Sequence, residues 1–316
     1  MQFDPQDTYI KPTEHYQTYD DGRELDLLYF IHNDPDIENM RGNPLRILDA
    51  IDDFARTREY LMNIGRDKGR IIGDLIREIR PRVMVELGGY VGYSTILLAH
   101  LHRQCGGSHY YTLEQSPEFA AVLLSLVDLA GLSSFVTVLV GEASRTLQRL
   151  QANGTLSSID LLFLDHNPEA HLPDLKLCES LNLVNDSNVV IANNGMAIQH
   201  REYWGGGRAR RDDGYTKYIR GSVEWRREAF RFEQWQKEWF RGNNSDVLPT
   251  LSGKPTRQID SFGYTSQPTE TYPKTDITYG YDGNPNLVYD TSFVRCFDPT
   301  GLEVSLLAKI SYKVWC

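Results

Sequence analysis

The stretch that decides the fold is Val83-Met84-Val85-Glu86-Leu87-Gly88-Gly89-Tyr90-Val91-Gly92-Tyr93-Ser94. Its first five residues are almost wholly apolar, the pattern of a parallel strand covered on both faces. Glycines at 88, 89 and 92 then let the backbone turn sharply and come close to a ligand. A helical stretch, Ser94 to Arg103, follows. Glu86 separates this turn from a phosphate cradle. A carboxylate there repels a pyrophosphate but suits the cationic amino-acid end of a ligand. Glu114 ends the next strand, where a carboxylate accepts hydrogen bonds from both hydroxyls of a ribose. An ammonium, a ribose and no phosphate describe S-adenosylmethionine, the cofactor expected here; a bare structural turn is the alternative.

Outward from this motif, short strands and helices alternate. Strands are expected at Tyr110 to Glu114, Val136 to Val140, Ile159 to Asp165 and Asn188 to Ala192. Helices are expected at Pro117 to Ala130, Ala143 to Gln151 and Asp174 to Ser180. That alternation predicts an α/β, doubly wound, Rossmann-like fold with a mostly parallel sheet. Asp290 to Phe297 and Leu302 to Tyr312, joined by a turn at 298–301, predict a C-terminal antiparallel hairpin on the same sheet. Upstream, Glu24 to Ile79 carries apolar residues at three- and four-residue spacing, with one run from Asn43 to Asn63, until Pro81 ends the helices. Four regions follow: an N-terminal arm and helices (1–80), the cofactor-binding core (81–202), an inserted segment (203–288) and the closing hairpin (289–316).

The inserted segment opens with a basic loop, 205–214, and continues into a predicted helix at 222–241. There Trp225, Phe232 and Trp239 recur every seven residues, with Trp235 beside them. Such a stripe reads as a packing face, a substrate lid or a homodimer interface.

The chain has 316 residues and a formal net charge of −10, with 43 acidic against 33 basic side chains. That balance argues against a general nucleic-acid binder, which needs a broad cationic footprint. No window approaches the roughly 18 apolar residues of a membrane span. The first residues contain no apolar run of signal-peptide type. The four cysteines, 105, 178, 296 and 316, form no C-x-x-C pair. A cytoplasmic protein with reduced thiols is expected.

Several separated motifs, Met62-Asn63-Ile64-Gly65 with Lys68-Gly69, MVELGGYVGYS and Phe163-Leu164-Asp165-His166, resemble the catechol O-methyltransferase family in order and spacing. The resemblance covers about Asn43 to Asn194 and, more faintly, the final hairpin. It implies that Met62 and Ile64 flank the methionine part of the cofactor and that Glu86, Gly88, Tyr90 and Ser94 form its cradle. It also implies that Glu114 holds the ribose, that Ala143 and Ser144 border the adenine, and that Asp165 and His166 lie beside the cofactor.

The catalytic end departs from the family pattern. The family holds magnesium with an Asp after the fourth strand and an Asp-Asn pair after the fifth; here Asp165 remains, but the pair reads Asn193-Asn194. An amide in place of a carboxylate weakens a hard-cation site. The family's catalytic lysine falls at Pro168, its neighbouring aromatic residue at Asn167 and its substrate-gripping glutamate at Arg295. Two readings follow: metal-assisted catechol chemistry is lost, or Asp165, Asn193 and Asn194 hold a weak Mg²⁺ site. His166 and His171 are candidate bases, although the family uses the former for cofactor packing. Asn193 belongs to the altered catalytic cluster, and His200, Tyr203 and Trp204 are candidates to line the pocket. Arg295 is a candidate to hold a carboxylate or enolate, or is an ordinary strand-surface arginine. The expected function is metal-independent O-methyl transfer from S-adenosylmethionine to a small molecule other than a catechol. The alternatives are non-methylating chemistry in the same pocket, such as cyclisation, elimination or rearrangement, and a catalytically silent binding protein.

Overall fold

The computed structural model describes residues 4–11, 21–186, 188–193, 214–242, 281–301 and 303–314. Four helices precede the sheet: α1 (Arg23–His32), α2 (Ile37–Met40), α3 (Pro44–Thr57) and α4 (Gly65–Ile79). Asn43 caps α3, its side chain accepting the Arg46 N–H at 3.4 Å, and Pro44 takes the first helical position. The helical run expected as far as Asn63 stops at Thr57. Arg23 explains part of this, because its guanidinium donates to the Tyr60 carbonyl at 2.7 Å and so occupies an acceptor that a continued helix would use. Residues 59–64 are therefore free of helix and include Met62 and Ile64.

Five strands run parallel: β1 (Val83–Leu87), β2 (His109–Glu114), β3 (Val136–Val140), β4 (Leu161–Leu164) and β5 (Val189–Ala192). The hairpin β6 (Leu287–Phe297) and β7 (Glu303–Val314) adds two more, with β7 antiparallel to both neighbours. The spatial order is β3-β2-β1-β4-β5-β7-β6. This is the expected doubly wound architecture with its antiparallel hairpin.

Alternate residues of the central strands feed two cores. Met84, Leu161, Phe163, Val189 and Ile191 face α1, α3 and α4, together with α5 (Tyr93–Gln104) and α6 (Pro117–Leu129). Val85, Leu87, Leu162, Leu164, Val190 and Ala192 face the other side. There they meet α7 (Ala143–Ala152), α8 (Pro168–Ser180) and α9 (Gly214–Arg220). Burial on both faces is why these strands read as continuous apolar runs.

Helix α8 starts six residues before the expected Asp174, because Asn167 caps it, accepting the Glu169 N–H at 3.1 Å, and Pro168 fits the first position. Helix α9 occupies residues for which no helix is expected from the sequence, and buries Tyr215, Tyr218 and Ile219. It leads into α10 (Val223–Gly242), the expected aromatic helix. Phe232 is buried, Trp225 packs half-buried against the second core, and Trp235 stacks on Phe232 with centroids 6.2 Å apart. The side chain of Trp239 lies outside the described residues.

Arg226 of α10 is fully buried and bridges three elements. It donates to both carboxylate oxygens of Glu179 on α8 at 3.0 Å, to the Tyr218 hydroxyl on α9 and to the Leu287 carbonyl at the start of β6.

Candidate active site

Parallel strands collect their C-terminal ends at one sheet edge, where open α/β folds hold ligands. The turn after β1 is forced close to the end of β4. Gly88 has φ +93°, and a Cβ there would lie 2.7 Å from the Asp165 carbonyl oxygen and 2.9 Å from the His166 Cα. Glu86 is 0% exposed; its Oε2 accepts from the Thr95 hydroxyl at 2.5 Å, while its Oε1 has no partner among the described residues. Burial pushes its carboxyl above the usual range. Glu114, at the tip of β2, receives the backbone N–H groups of Tyr90 and Ser116, each at 2.8 Å. Tyr90 is a non-glycine residue at φ +46°, and its hydroxyl donates to Glu24 of α1 at 2.7 Å.

The other residues expected at the cofactor lie on three elements. Ile64 is buried and Met62 half-buried in the segment before α4, and Ser94 is buried in the first turn of α5. Ala143 and Ser144 open α7 after β3, the Ser144 hydroxyl donating to Glu142 at 3.0 Å.

Beyond β4 and β5 lies a hydrogen-bonded chain. Lys68 of α4 donates to Asn193 Oδ1 at 3.0 Å, and Asn193 Nδ2 donates to Asp165 Oδ1 at 2.6 Å. Lys68 and Asn193 are buried and Asp165 is half-buried. Burial pushes the Lys68 ammonium down and the Asp165 carboxyl up to about 7. The neighbours dictate the amide's orientation. Reversed, it would set its NH₂ against an ammonium and its oxygen against a carboxylate.

His166 Nε2 bonds Asp174 Oδ2 of α8 at 2.9 Å, and His171 Nε2 bonds the His166 carbonyl at 3.0 Å. Burial, reinforced by the neighbouring His166, pushes the His171 imidazole down to about 3, so it stays neutral near pH 7 and is no base. Below pH 6.5 the unfolded chain binds a proton here that the folded chain refuses, so stability falls as pH falls. The slope is up to about 1.4 kcal/mol per pH unit. His171→Phe is expected to lose that part of the slope in denaturant melts between pH 7.5 and 5; equal slopes would contradict the assignment.

Strand register places Arg295 at the same edge. Ala192 pairs with Ala308 and Phe293 with Ala308, so Arg295 sits two residues beyond the level of Ala192, two strands across. At the usual strand spacing that is about 10 Å. Its side chain and the residues Asn194, His200, Tyr203 and Trp204 lie outside the described set. Sequence reading missed three contributors to this edge: Lys68 as the partner of Asn193, Glu24 as the partner of Tyr90, and Asp174 as the partner of His166. None has a local signal, since each meets its partner only through the fold.

A family model described as a methyltransferase domain matches residues 85–194. Mouse (Mus musculus) catechol O-methyltransferase is 36% identical over 153 residues, 48% of this chain and 57% of that protein. The pig (Sus scrofa) protein of the same name is 36% identical over 137 residues, 43% of this chain and 73% of that protein. Among solved structures, an O-methyltransferase from Bacillus cereus in complex with SAH is 18% identical, covering 91% of this chain and 97% of that one at a TM-score of 0.45. The chain belongs to the catechol O-methyltransferase family. Its match to the mouse protein spans little more than half of that protein's length.

At the position where that family holds magnesium with carboxylates after β4 and β5, the described donors are Asp165 and the Asn193 amide. A hard divalent cation takes about six oxygen ligands. Here one carboxylate stands beside an amide whose oxygen already accepts from an ammonium. No group of three or more His, Cys, Asp or Glu suited to a metal occurs among the described residues.

Proposed function

We propose that this chain binds S-adenosylmethionine and transfers its methyl group to an oxygen of an acidic small molecule, without a divalent cation. The observation carrying this reading is the pair of carboxylates at neighbouring strand tips. Glu86 is buried just before the turn and is read as the partner of an ammonium, and Glu114 at the tip of β2 is read as the acceptor of the ribose hydroxyls. When bound, the cofactor supplies an electrophilic sulfonium methyl. The chain's contribution is alignment of the acceptor oxygen with it, which accounts for much of the acceleration.

The charge of the substrate end supports an anionic acceptor. Lys68 bonds Asn193 where the family has a carboxylate, and Arg295 stands on β6 at the same end of the sheet. A carboxylic acid, enol or acidic phenol ionised near pH 7 needs no side-chain base, and proline stands where the family places its lysine. Arg295 is assigned to the substrate anion, Asn193 to holding Lys68 and Asp165 in place, and His166 to the cofactor side. No helix among the described residues is long and apolar enough to cross a membrane. A cytoplasmic location and no nucleic-acid partner are proposed on charge and composition. Any homodimer contact through α10 is proposed for the half-exposed faces of Trp225 and Trp235.

Incubation with methyl-labelled cofactor and a panel of acids, enols, phenols and catechols tests this. Label is expected in the methyl ester or ether of an acidic acceptor, at a rate unchanged by EDTA. Label only in catechols, or activity lost in EDTA and restored by Mg²⁺, would overturn the reading. Product formed without label would establish non-methylating chemistry. No turnover of any kind would favour a binding protein.

A further inference from the structure

Residues 4–11 of the N-terminal arm lie upstream of the family resemblance, and among them only Tyr9 is buried. Its phenol donates to Asp52 of α3, a buried carboxylate that also receives Arg66 Nε of α4 at 2.7 Å and the Tyr93 hydroxyl at 3.5 Å. The Asn63 side chain is a further neighbour of the phenol. The backbone is tied as well. The Tyr9 N–H donates to the Pro299 carbonyl in the β6–β7 turn at 2.8 Å, and the Ile10 N–H donates to the Ala55 carbonyl of α3 at 3.0 Å.

These contacts converge on two elements of the cofactor site. Asn63 stands between Met62 and Ile64, and Tyr93 directly precedes Ser94. Pro299 presses on Gly65, the residue after Ile64, where a Cβ would lie 2.7 Å from the proline Cγ. One residue of the arm therefore joins α3, the segment before α4, the start of α5 and the hairpin turn.

The attachment is also of a kind that opens. Apart from Tyr9, the described arm residues are exposed or half-buried, and a cavity of about 240 Å³ lined in part by Asp7, Tyr9, Asp52, Arg66 and Asp298 lies beside them. Asp7 approaches Arg56 at 3.7 Å and Arg66 at 3.9 Å, all three partly exposed, where ion pairs contribute little. A segment with so few buried apolar contacts releases locally, without unfolding of the whole.

We propose that the arm is a cofactor-coupled strap: Tyr9 docks on Asp52 when the Met62–Ile64 segment and the start of α5 are arranged to hold the cofactor, so docking and cofactor binding strengthen each other. Tyr9 is a positioning residue that acts through Asn63, Tyr93 and the Pro299 turn. This rests on the cofactor reading given above. Linkage makes the coupling reciprocal: the factor by which a docked arm tightens the cofactor is the factor by which the cofactor tightens the arm.

Hydrogen exchange of the Tyr9 and Ile10 amides in the full wild-type chain reads docking directly, since both amides are held by the bonds that dock the arm. Saturation with S-adenosylhomocysteine is expected to slow that exchange about tenfold, within the usual range of coupling between sites. Amides of α10, which packs against the second core, are expected to keep their rates. Titrated calorimetrically with the same compound, Tyr9→Ala is expected to show a Kd raised by the same factor. Tyr9→Phe keeps the ring, loses the bond to Asp52 and is expected to fall between. An anchor that merely stabilised the fold would lower the melting temperature and leave arm exchange indifferent to ligand. Arm exchange unmoved at saturation, or wild-type affinity in Tyr9→Ala, would overturn the proposal while leaving the cofactor reading intact. Failure of the wild type to bind the compound in the titration would remove that reading and this proposal with it.

Discussion

Glu114→Ala is expected to weaken S-adenosylmethionine binding by at least about 100-fold. Two charge-assisted hydrogen bonds to ribose hydroxyls, at roughly 1.5–3 kcal/mol each, account for that factor without any contribution from the protein's own structure. The carboxylate has a second task, because it receives the Tyr90 and Ser116 N–H groups. Its loss frees the turn that carries Tyr90 and leaves two backbone donors to find water. Glu114→Gln keeps an acceptor but loses the charge, and is expected to fall between wild type and alanine. Calorimetric titration measures both, and a thermal melt shows whether the fold is retained. Wild-type affinity in Glu114→Ala would place the ribose elsewhere and remove the basis for reading this edge as an adenosyl site.

Arg226→Met is expected to destabilise the chain by about 3–5 kcal/mol. The guanidinium neutralises Glu179, which lies fully buried on α8 and whose carboxyl burial otherwise pushes upward. Removing only the arginine strands that carboxylate and releases the Leu287 carbonyl. For a chain of this size the loss corresponds to a drop in melting temperature of roughly 10 °C. The double change Glu179→Leu with Arg226→Met is expected to recover most of it, since a buried pair replaced by apolar groups is often close to neutral. A single variant melting like the wild type would mean that α9 and α10 do not rely on this pair for their attachment.

Elements whose burial is uniform were legible in the residues alone. Strands β1, β4 and β5 are covered on both faces, so their apolar runs have no competing interpretation. Helix ends decided by distant groups were not legible. The apolar spacing of α3 continues through Leu61 and Ile64, and only the Arg23 contact with Tyr60 shows why the helix stops before them. Pro173 obscures the first turns of α8, although a single proline there forfeits just one backbone hydrogen bond. Helix α9 has a glycine start and a basic approach, and its helical character comes from burying Tyr215, Tyr218 and Ile219.

The same division holds at the site. Glu86 and Glu114 could be found because a carboxylate at a buried strand's tip is unusual and the strands locate it. The link between Lys68 and Asn193 joins residues 125 apart in sequence, and nothing local to either announces it. That position 193 carries an amide was readable from the sequence itself. The ammonium that engages its oxygen was not.

Tyr90 occupies a backbone region that disfavours ordinary side chains by roughly 1–2 kcal/mol, yet it is tethered at both ends. Its amide is fastened to the acid at the tip of β2, and its phenol to the opening turn of α1. The amino-terminal helix is thus mechanically continuous with the loop that shapes the ligand crevice. Recombining this helix with the core of another family member would also exchange the brace that keeps Tyr90 in its unfavourable geometry.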